Sequence, residues 1–365
     1  MLGVNTEKRW LGAIVSRDQF DFWAQQLGST AAWERCFARV VSRCEEADDT
    51  ISLTLKPNAN FAGFRAGQHM NLSAIIAGRR VTRSYSFTGL PCADSKQESV
   101  SITVRRDPAG VMSDWLYRHA QPGTVLEIGG VFGEMTLEEI QPAATEDLVF
   151  LAAGSGITPM ISLIKARLAQ GVSSLVTLLY WGRRPSAFCF DDELNALLNA
   201  HPNFRVHRLT TQEPFVGQPL AGRIHSEQLE QVLGADSSAP RAFICGNAEF
   251  VETARQLMNE RASTCHVESF SPPARAPQNA VVESITLTLR KSRQVLTVSN
   301  QDTLLDALEA QGIAVESGCR MGICNTCTCT VTEGQTRDIS TGQLNDGPAT
   351  RLCVSQPVSN LQLDL

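Results

Sequence analysis

The sequence has no long apolar run and no excess of basic residues. None of its 365 residues belongs to an uninterrupted apolar stretch of the roughly 20 that cross a bilayer, so no membrane span is predicted. Lys and Arg number 32 against 38 Asp and Glu, and a net charge of −6 gives no electrostatic basis for binding nucleic acid. Residues 1–26 also lack the apolar core and cleavage site of a signal peptide. We therefore expect a cytoplasmic protein.

Most of the eleven cysteines follow no spacing that suggests a disulfide framework or a metal site. In a reducing compartment, scattered cysteines of this kind are usually buried as small apolar side chains. Seven fall in this group: Cys36, Cys44, Cys92, Cys189, Cys245, Cys265 and Cys329.

The other four cysteines, Cys319, Cys324, Cys327 and Cys353, form a motif. The first three are spaced C-x4-C-x2-C and the fourth follows further on, which is the ligand pattern of a plant-type [2Fe–2S] cluster. Four thiolates supply two ligands per iron, and Gly322 gives the loop the backbone freedom to turn amides toward the cluster. A structural zinc site is the alternative, but zinc sites usually pair two C-x2-C hooks. The spacing favours the iron–sulfur cluster.

Changes in the pattern of apolar, polar, Gly and Pro residues divide the chain into a leader and three blocks. Residues 33–145 contain short alternating runs separated by Gly, Pro, Asn and Asp, which predicts an antiparallel β-barrel. Residues 146–270 alternate apolar strands with helical stretches, which predicts a doubly wound α/β sheet. Residues 271–280 are a Pro- and Ala-rich linker, and 281–365 open with a hairpin followed by a short helix. The leader, residues 1–32, is either a docking or membrane-surface segment or one that packs on its own domain.

Two motifs in the first block predict a flavin site. Arg83-Ser-Tyr-Ser-Phe87 is predicted as a strand, and Arg105 to Ser113 joins a strand, a Gly turn and the start of a helix. Such a turn presents backbone amides to an anion, an Arg pairs with a pyrophosphate, and a Tyr packs on an isoalloxazine ring. The first motif alone is equally typical of surface polar residues around one buried Tyr. The candidate flavin-binding residues are Arg83, Tyr85, Ser86, Phe87, Arg105, Gly110, Val111, Met112 and Ser113.

The second block carries a candidate nicotinamide-nucleotide site. An apolar strand runs into Gly154, Gly156 and Thr158 and then into a helix, so backbone can approach a pyrophosphate closely. The spacing is not the full G-x-G-x-x-G, and a simple tight turn is the alternative. Cys245 and Gly246 end another strand of the same predicted sheet, where ligands of parallel sheets bind. For Cys245 alone, a buried core thiol is the competing interpretation.

Two adjacent arginines bear on the choice between NADPH and NADH. Arg183 and Arg184 follow a predicted strand and are suited to bidentate contacts with a 2′-phosphate. They are equally compatible with solvent-facing loop cations, and Gln212 does not add a further basic residue nearby. The sequence leaves the donor open between NADPH and NADH.

These motifs and their order resemble the ferredoxin–NADP reductase superfamily, in particular its fused members with a C-terminal plant-type ferredoxin. The resemblance covers the chain from Trp33 onward and implies a β-grasp fold for the last block. It favours FAD over FMN, and it places Ser86, Cys245 and Glu268 around the flavin N5 and the nicotinamide ring as catalytic residues. One position departs from the pattern: His69 stands where Tyr or Phe is common.

The resemblance implies an oxidoreductase that passes electrons from NAD(P)H through FAD to the [2Fe–2S] cluster and on to a partner enzyme. The segment from Arg320 to Cys324, with Glu333 to Asp338 and Thr341 to Gln343, looks like reductases of membrane diiron fatty-acid desaturases. A desaturase is therefore the expected acceptor, which also implies peripheral contact with a membrane-bound partner. Related fused reductases serve Rieske-type or diiron hydroxylases and monooxygenases instead. A redox-sensing regulatory protein is the alternative from another class.

Overall fold

The structure is a computed structural model that describes residues 16, 19–21, 23, 28–92, 98–213, 221–234, 239–270, 282–339, 342–345 and 347–365. The predicted linker, 271–280, and most of the predicted leader, 1–32, lie outside these residues. Backbone contacts group the chain into two units, one of residues 1–245 with 254–267 and one of residues 246–253 with 268–365. Within the described residues, no helix is long and apolar enough to cross a membrane.

The first block folds into a six-stranded antiparallel barrel with strand order β4-β3-β6-β1-β2-β5. A bridge between Phe87 and Ile102 joins the end of β4 to β5 and closes the sheet. One helix, α1, follows β5. The elements are β1 Cys36–Ala47, β2 Thr50–Pro57, β3 His69–Ile76, β4 Arg79–Ser86, β5 Val100–Arg105, α1 Val111–His119 and β6 Val125–Phe132.

The barrel interior follows from alternation along its strands. In β2, Ile51, Leu53 and Leu55 point to one face and are fully buried. Phe64 and Phe87 stack inside this core with ring centroids 4.1 Å apart. Burial of each such side chain contributes about 1.5–3 kcal/mol to the free energy of unfolding. The packed core therefore stabilises the barrel, and with it the positions of its strand ends.

The second block is a five-stranded sheet of order β11-β10-β7-β8-β9, in which β7 pairs in parallel with both β8 and β10. The chain order reverses at β7, and in such sheets ligands bind at the carboxyl ends of the strands beside the reversal. All seven residues of β8 are buried, as expected of a strand covered on both faces. The elements are α2 Leu137–Ile140, β7 Leu148–Ala153, α3 Ile157–Ala169, β8 Val176–Gly182, α4 Asp191–Ala200, β9 Phe204–Thr210, α5 Ser226–Leu233, β10 Arg241–Gly246, α6 Ala248–Met258 and β11 Thr264–Ser269.

Polar contacts join the barrel to the parallel sheet. The Ser162 hydroxyl of α3 donates to the carbonyl of Gly89 over 2.7 Å, and the amide of Phe190 donates to Glu46 Oε1 over 2.9 Å. Asp48 of the β1–β2 turn accepts hydrogen bonds from Arg184 Nε at 2.8 Å and Ser186 Oγ at 2.5 Å.

The C-terminal block is a β-grasp domain of two sheets with one helix. The larger sheet has order β13-β12-β19-β14-β17 and the smaller β16-β15-β18, and β12 runs parallel to β19. Thr303 caps the helix by accepting the amide of Asp306. The elements are β12 Ser284–Leu289, β13 Gln294–Ser299, α7 Leu304–Ala310, β14 Thr328–Glu333, β15 Thr336–Asp338, β16 Leu344–Asn345, β17 Ala349–Arg351, β18 Ser355–Pro357 and β19 Leu361–Leu363.

The described part of the leader packs on the barrel domain. Asp21 is 2% exposed, and its carboxylate accepts the backbone amides of Trp33, Glu34 and Arg35 just before β1. The ring of Phe20 packs edge-on against Trp33 with centroids 5.9 Å apart. These contacts favour a packing role for residues 20 and 21.

Candidate functional site

The four motif cysteines converge beside the core of the C-terminal domain as two pairs. Backbone amides of Cys319 and Cys324 each donate to the other residue's sulfur, over 3.2 and 3.3 Å, and Cys327 interacts through its side chain with Cys353. Cys319, Cys327 and Cys353 are buried and Cys324 is partly exposed. Two pairs of thiols match the two ligands that each iron of a [2Fe–2S] cluster requires. Among the described residues, no three or more His, Cys, Asp or Glu side chains are arranged to hold a single metal ion.

The loop that carries the first three cysteines has an unusual backbone. Arg320, Gly322 and Asn325 have φ of 58°, 76° and 55°, a region that non-glycine residues rarely adopt. The turns direct the amide of Met321 to Cys319 Sγ over 3.3 Å. A Cβ on Gly322 would lie 2.9 Å from Val354 Cγ2, so only glycine fits here. A loop that wraps amides around sulfur fits an anionic cluster.

Interactions within the cysteine pairs make one thiol of each pair more acidic. The side-chain hydrogen bond from Cys319 lowers the pKa of Cys324 to about 5, and that from Cys353 lowers the pKa of Cys327 to about 7. The same contacts, together with burial, raise the pKa of Cys319 and Cys353. Because thiolates are the metal-binding form, this donor set suits iron. Cys329, by contrast, lies on β14 and donates to the carbonyl of Thr330.

In the barrel, the predicted catalytic Ser86 is the last residue of β4 and is 4% exposed. Its Oγ lies 2.9 Å from Nδ1 of His69, the residue opposite it on β3. The His69 ring packs against Phe132 at 5.6 Å, and a Cβ on Gly133 would stand 3.2 Å from the imidazole. His69 therefore fixes the Ser86 hydroxyl through a ring nitrogen. Tyr and Phe have no ring nitrogen and would not make this contact.

The other residues of the β4 motif lie in different surroundings. Arg83 is half-buried, and its guanidinium donates to the carbonyl of Thr82 over 2.7 Å. Burial raises the pKa of Tyr85, opposed by the charge of Arg83, so the phenol is neutral at physiological pH. Phe87 is fully buried against Phe64, so any contact of this residue with a flavin comes from its backbone.

Helix α1 begins at the predicted pyrophosphate-binding turn. Gly110 is its N-cap and offers no side chain to the first amides, and a Cβ there would approach Ser113 Oγ to 2.5 Å. Val111 is 54% exposed, whereas Met112 lies in the barrel core. The free amides of this nine-residue helix suit an anion such as a pyrophosphate. Ser113 Oγ accepts the amide of Asp107, which shapes the turn.

The predicted nucleotide loop follows β7 at the point where the chain order of the sheet reverses. Gly154 has φ +54°, and a Cβ there would lie 3.2 Å from Nη1 of Arg105, which brings that exposed arginine of β5 to this loop. Gly156 caps α3 without a side chain, and the Thr158 hydroxyl donates to the carbonyl of Ser155 over 2.9 Å. The loop thus presents glycine backbone and a helix N-terminus, as a dinucleotide requires.

Three further predicted residues lie on β10 and β11. Cys245 is fully buried and pairs in register with Ala152 of β7. Gly246 ends β10, and its carbonyl accepts the amide of Phe270 over 2.9 Å. Glu268 lies half-buried on β11. The catalytic roles of Ser86, Cys245 and Glu268 remain predictions.

The two arginines predicted to read a 2′-phosphate have different surroundings. Arg184 is paired with Asp48, and the hydrogen bond from Ser186, helped by Arg184, lowers the pKa of that carboxyl. Arg183 is exposed just after β8, and its backbone carbonyl accepts the amides of Gln212 and Glu213. Within the described part of the chain, its guanidinium is engaged by no other side chain.

Two polar contacts at the candidate sites were not predicted from the sequence. Asp48 holds Arg184 across 136 residues of sequence, and Arg351 contacts both Gly322 of the cysteine loop and Asp338. Both contacts depend on how segments distant in sequence pack together, which no local motif encodes.

Comparison with known proteins identifies all three blocks. Residues 38–137 match the family of oxidoreductase FAD-binding domains, 150–256 the oxidoreductase NAD-binding domains, and 287–358 the 2Fe-2S iron-sulfur cluster binding domains.

Relatives match this arrangement over most of their length. An NADPH oxidoreductase of Mycobacterium tuberculosis is 29% identical over 332 residues, which cover 90% of this chain and 83% of the relative. One component of the 1,2-phenylacetyl-CoA epoxidase of Escherichia coli is 31% identical over 312 residues, 80% of this chain and 85% of the relative. The structure of phthalate dioxygenase reductase superposes with a TM-score of 0.58 at 25% identity, over 90% of this chain and 97% of that one.

Fold, cysteine pairs and domain matches together define an electron-transfer oxidoreductase that uses NAD(P)H, FAD and a [2Fe–2S] cluster. The expected fold class, cofactors and enzyme class are confirmed. The chain belongs to the ferredoxin–NADP reductase superfamily, in the group whose members carry a C-terminal [2Fe–2S] ferredoxin domain.

Proposed function

We propose that this chain is the reductase component of an iron-dependent oxygenase and that it delivers electrons singly from a cluster held by Cys319, Cys324, Cys327 and Cys353. The observation that carries the proposal is the pairing of these four thiols at one buried loop. FAD supplies the exchange between a two-electron hydride donor and one-electron acceptors. The remaining roles belong to side chains and backbone of this chain.

In the barrel, these roles are binding and orientation. We assign the pyrophosphate of FAD to the free amides at the start of α1, beside Gly110 and Ser113, because they form an anion site. Ser86, held by His69, presents its hydroxyl at the end of β4. Tyr85, neutral because its pKa is raised, offers an aromatic face. Fixed positions of this kind lower the cost of hydride transfer by orienting the reactants.

We assign NADPH as the donor, with Arg183 as the residue that binds its 2′-phosphate. Arg183 is exposed after β8 and not engaged by another described side chain, whereas Arg184 is paired with Asp48. The relative named an NADPH oxidoreductase supports this choice. A charged hydrogen bond contributes about 1.5–3 kcal/mol, so Arg183→Gln should lower kcat/KM for NADPH by about 10- to 100-fold.

The matched control for Arg183→Gln is the substitution of its neighbour. Arg184→Gln removes the same charge one residue away and should change kcat/KM for NADPH less, while kcat/KM for NADH stays unchanged in both variants. A wild-type preference for NADH, or equal losses in the two variants, would contradict the assignment.

The proposed acceptor is an oxygenase, because the epoxidase component and the dioxygenase reductase are named for such systems. A diiron fatty-acid desaturase is the second candidate, from the resemblance of the segment between Arg320 and Asp338. This acceptor would add peripheral contact with a membrane-bound partner.

Reconstitution with purified acceptors tests the proposal. The full chain with both cofactors is mixed with a Rieske oxygenase, a diiron monooxygenase or a membrane diiron desaturase, and product is measured per NADPH oxidised. An oxygenase acceptor predicts substrate-dependent NADPH oxidation with a hydroxylated or epoxidised product, lost in a Cys324→Ser variant that keeps its FAD. If product forms only with the desaturase, the desaturase replaces the oxygenase as the proposed acceptor. If none of the three acceptors supports product formation coupled to NADPH oxidation, a partner of this class is refuted.

A further inference from the structure

Arg351 lies at the end of β17, two positions before the proposed ligand Cys353. Its guanidinium makes two contacts in different directions. One nitrogen donates to the carbonyl of Gly322, in the loop between Cys319 and Cys324, over 2.5 Å. The other donates to the Asp338 carboxylate over 2.7 Å. One cation thus connects the cysteine loop, the Cys353 segment and β15.

The Asp338 carboxylate is well placed to hold this cation. Its side chain is only 15% exposed, against 40% for Arg351, and its residue ends the short strand β15. The backbone of Asp338 is held on both sides, because its amide donates to the carbonyl of Gln343 and its carbonyl accepts the amide of Gly342. The carboxylate therefore belongs to a residue whose backbone is held by two hydrogen bonds.

The contact with Gly322 acts on a closely packed part of the loop. Gly322 has φ +76° and lies against the fully buried Val354, next to Cys353. A carbonyl fixed by a guanidinium holds the peptide plane that it shares with the amide of Ile323. Arg351 is thereby coupled to the loop that encloses the thiol pairs.

We propose that Arg351 and Asp338 form a positioning pair that sets the reduction potential of the [2Fe–2S] cluster, Arg351 raising it and Asp338 lowering it. The inference rests on the assignment of the cluster to the four cysteines proposed above. Reduction adds one negative charge to the cluster, so a nearby cation stabilises the reduced form and a nearby anion destabilises it. The two partners of one ion pair therefore have effects of opposite sign.

The test compares two isosteric changes in the holoprotein by EPR-monitored redox titration. Arg351→Gln removes the cation and should shift the cluster potential to more negative values. Asp338→Asn leaves the cation without its counter-charge and should shift it to more positive values. We expect each shift to correspond to a change of up to about tenfold in the partition of one electron, which is about 59 mV, with a larger shift at low ionic strength.

The control is an ion pair of the same domain that does not contact the cysteine loop. Lys291 pairs with Asp364 at 3.2 Å, and Lys291→Gln removes one cation from an exposed position. We expect no change of the cluster potential in Lys291→Gln. The FAD potential should stay unchanged in Lys291→Gln, Arg351→Gln and Asp338→Asn. Arg351→Lys keeps the charge but cannot span both the Gly322 carbonyl and the Asp338 carboxylate. This variant should therefore lose its cluster to a chelator faster than wild type. Its cluster potential should shift less than that of Arg351→Gln.

Opposite shifts in Arg351→Gln and Asp338→Asn support the pair as an electrostatic determinant. Shifts of the same sign, or potentials equal to wild type in both variants, would overturn it. A loss of structural support alone gives no reason for the potential to shift in opposite directions in the two variants. If Arg351→Gln does not retain its cluster, Asp338→Asn decides: a positive shift supports the inference and a zero or negative shift overturns it. The ligand assignment is tested separately, by measuring the content of iron and acid-labile sulfide in wild type and in Cys324→Ser.

Discussion

Gly322→Ala is predicted to destabilise the C-terminal domain through a clash with one buried side chain. The new Cβ would stand 2.9 Å from Val354 Cγ2 and 3.0 Å from Cγ1, on a side chain that is fully buried beside Cys353. The backbone at φ +76° adds strain of about 1–2 kcal/mol for any residue with a Cβ. Crowding in a packed core adds about 1–3 kcal/mol. Together these terms predict a loss of about 2–5 kcal/mol.

Gly342→Ala separates the two terms. Gly342 has φ +74°, nearly the same as Gly322, but a Cβ there meets no atom within 4 Å. Both variants pay the same backbone strain and gain the same restriction of the unfolded chain, so their difference isolates the clash. Gly334→Ala extends the series, since its Cβ would lie 2.1 Å from the carbonyl oxygen of Asn360.

The assay is loss of the cluster absorbance of the full-length holoprotein in the presence of an iron chelator, together with denaturant unfolding followed in the same band. We expect the order Gly342→Ala, Gly322→Ala, Gly334→Ala from most to least stable. The first two should differ by at least about fivefold in the ratio of folded to unfolded protein at a common denaturant concentration. Equal behaviour of these two variants would refute the argument from Val354.

Three other predictions concern the barrel and its contacts. His69→Phe should destabilise the protein to denaturant by about 1–3 kcal/mol, since it leaves the buried Ser86 hydroxyl without its partner, whereas His69→Gln should cost less. The hydrogen bond from Ser186, together with Arg184, lowers the pKa of Asp48, so its contribution to stability is complete above pH 3.8 and is lost as the pH falls through the folded value. The stability difference between wild type and Asp48→Asn should therefore vanish in acid titration, and a constant difference would count against these contacts. Asp21→Ala should lower the thermal midpoint, with a loss of about 1–3 kcal/mol from the uncovered amides, and an unchanged midpoint would show that this capping is dispensable.

The three-domain fold and the cofactors could be predicted because their signals are local. Alternation at Ile51, Leu53 and Leu55 predicts a half-buried strand, and the spacing of three cysteines defines a loop whose chemistry is nearly unique. The glycine turn after β7 is encoded in the same way, by residues adjacent in sequence.

Features that depend on pairing between distant segments could not be predicted. Strand β4 begins at Arg79, four residues before the predicted Arg83, because pairing with β3 rather than local propensity makes Arg79–Thr82 extended. Strands β15 to β18 have two or three residues each, too few for any period to appear. The pairing of Arg351 with Asp338 needs the register of these strands, which the sequence alone does not specify.

We infer that electrons from NADPH pass through FAD to a cluster on Cys319, Cys324, Cys327 and Cys353. Anaerobic titration of the purified chain with NADPH, followed by visible absorption and low-temperature EPR, tests it most directly. We expect bleaching of the flavin bands together with a rhombic EPR signal of a reduced [2Fe–2S] cluster. In Cys324→Ser we expect loss of that signal while the flavin bands still bleach. Flavin bleaching without the signal, in wild-type protein shown to contain iron and sulfide, would contradict it.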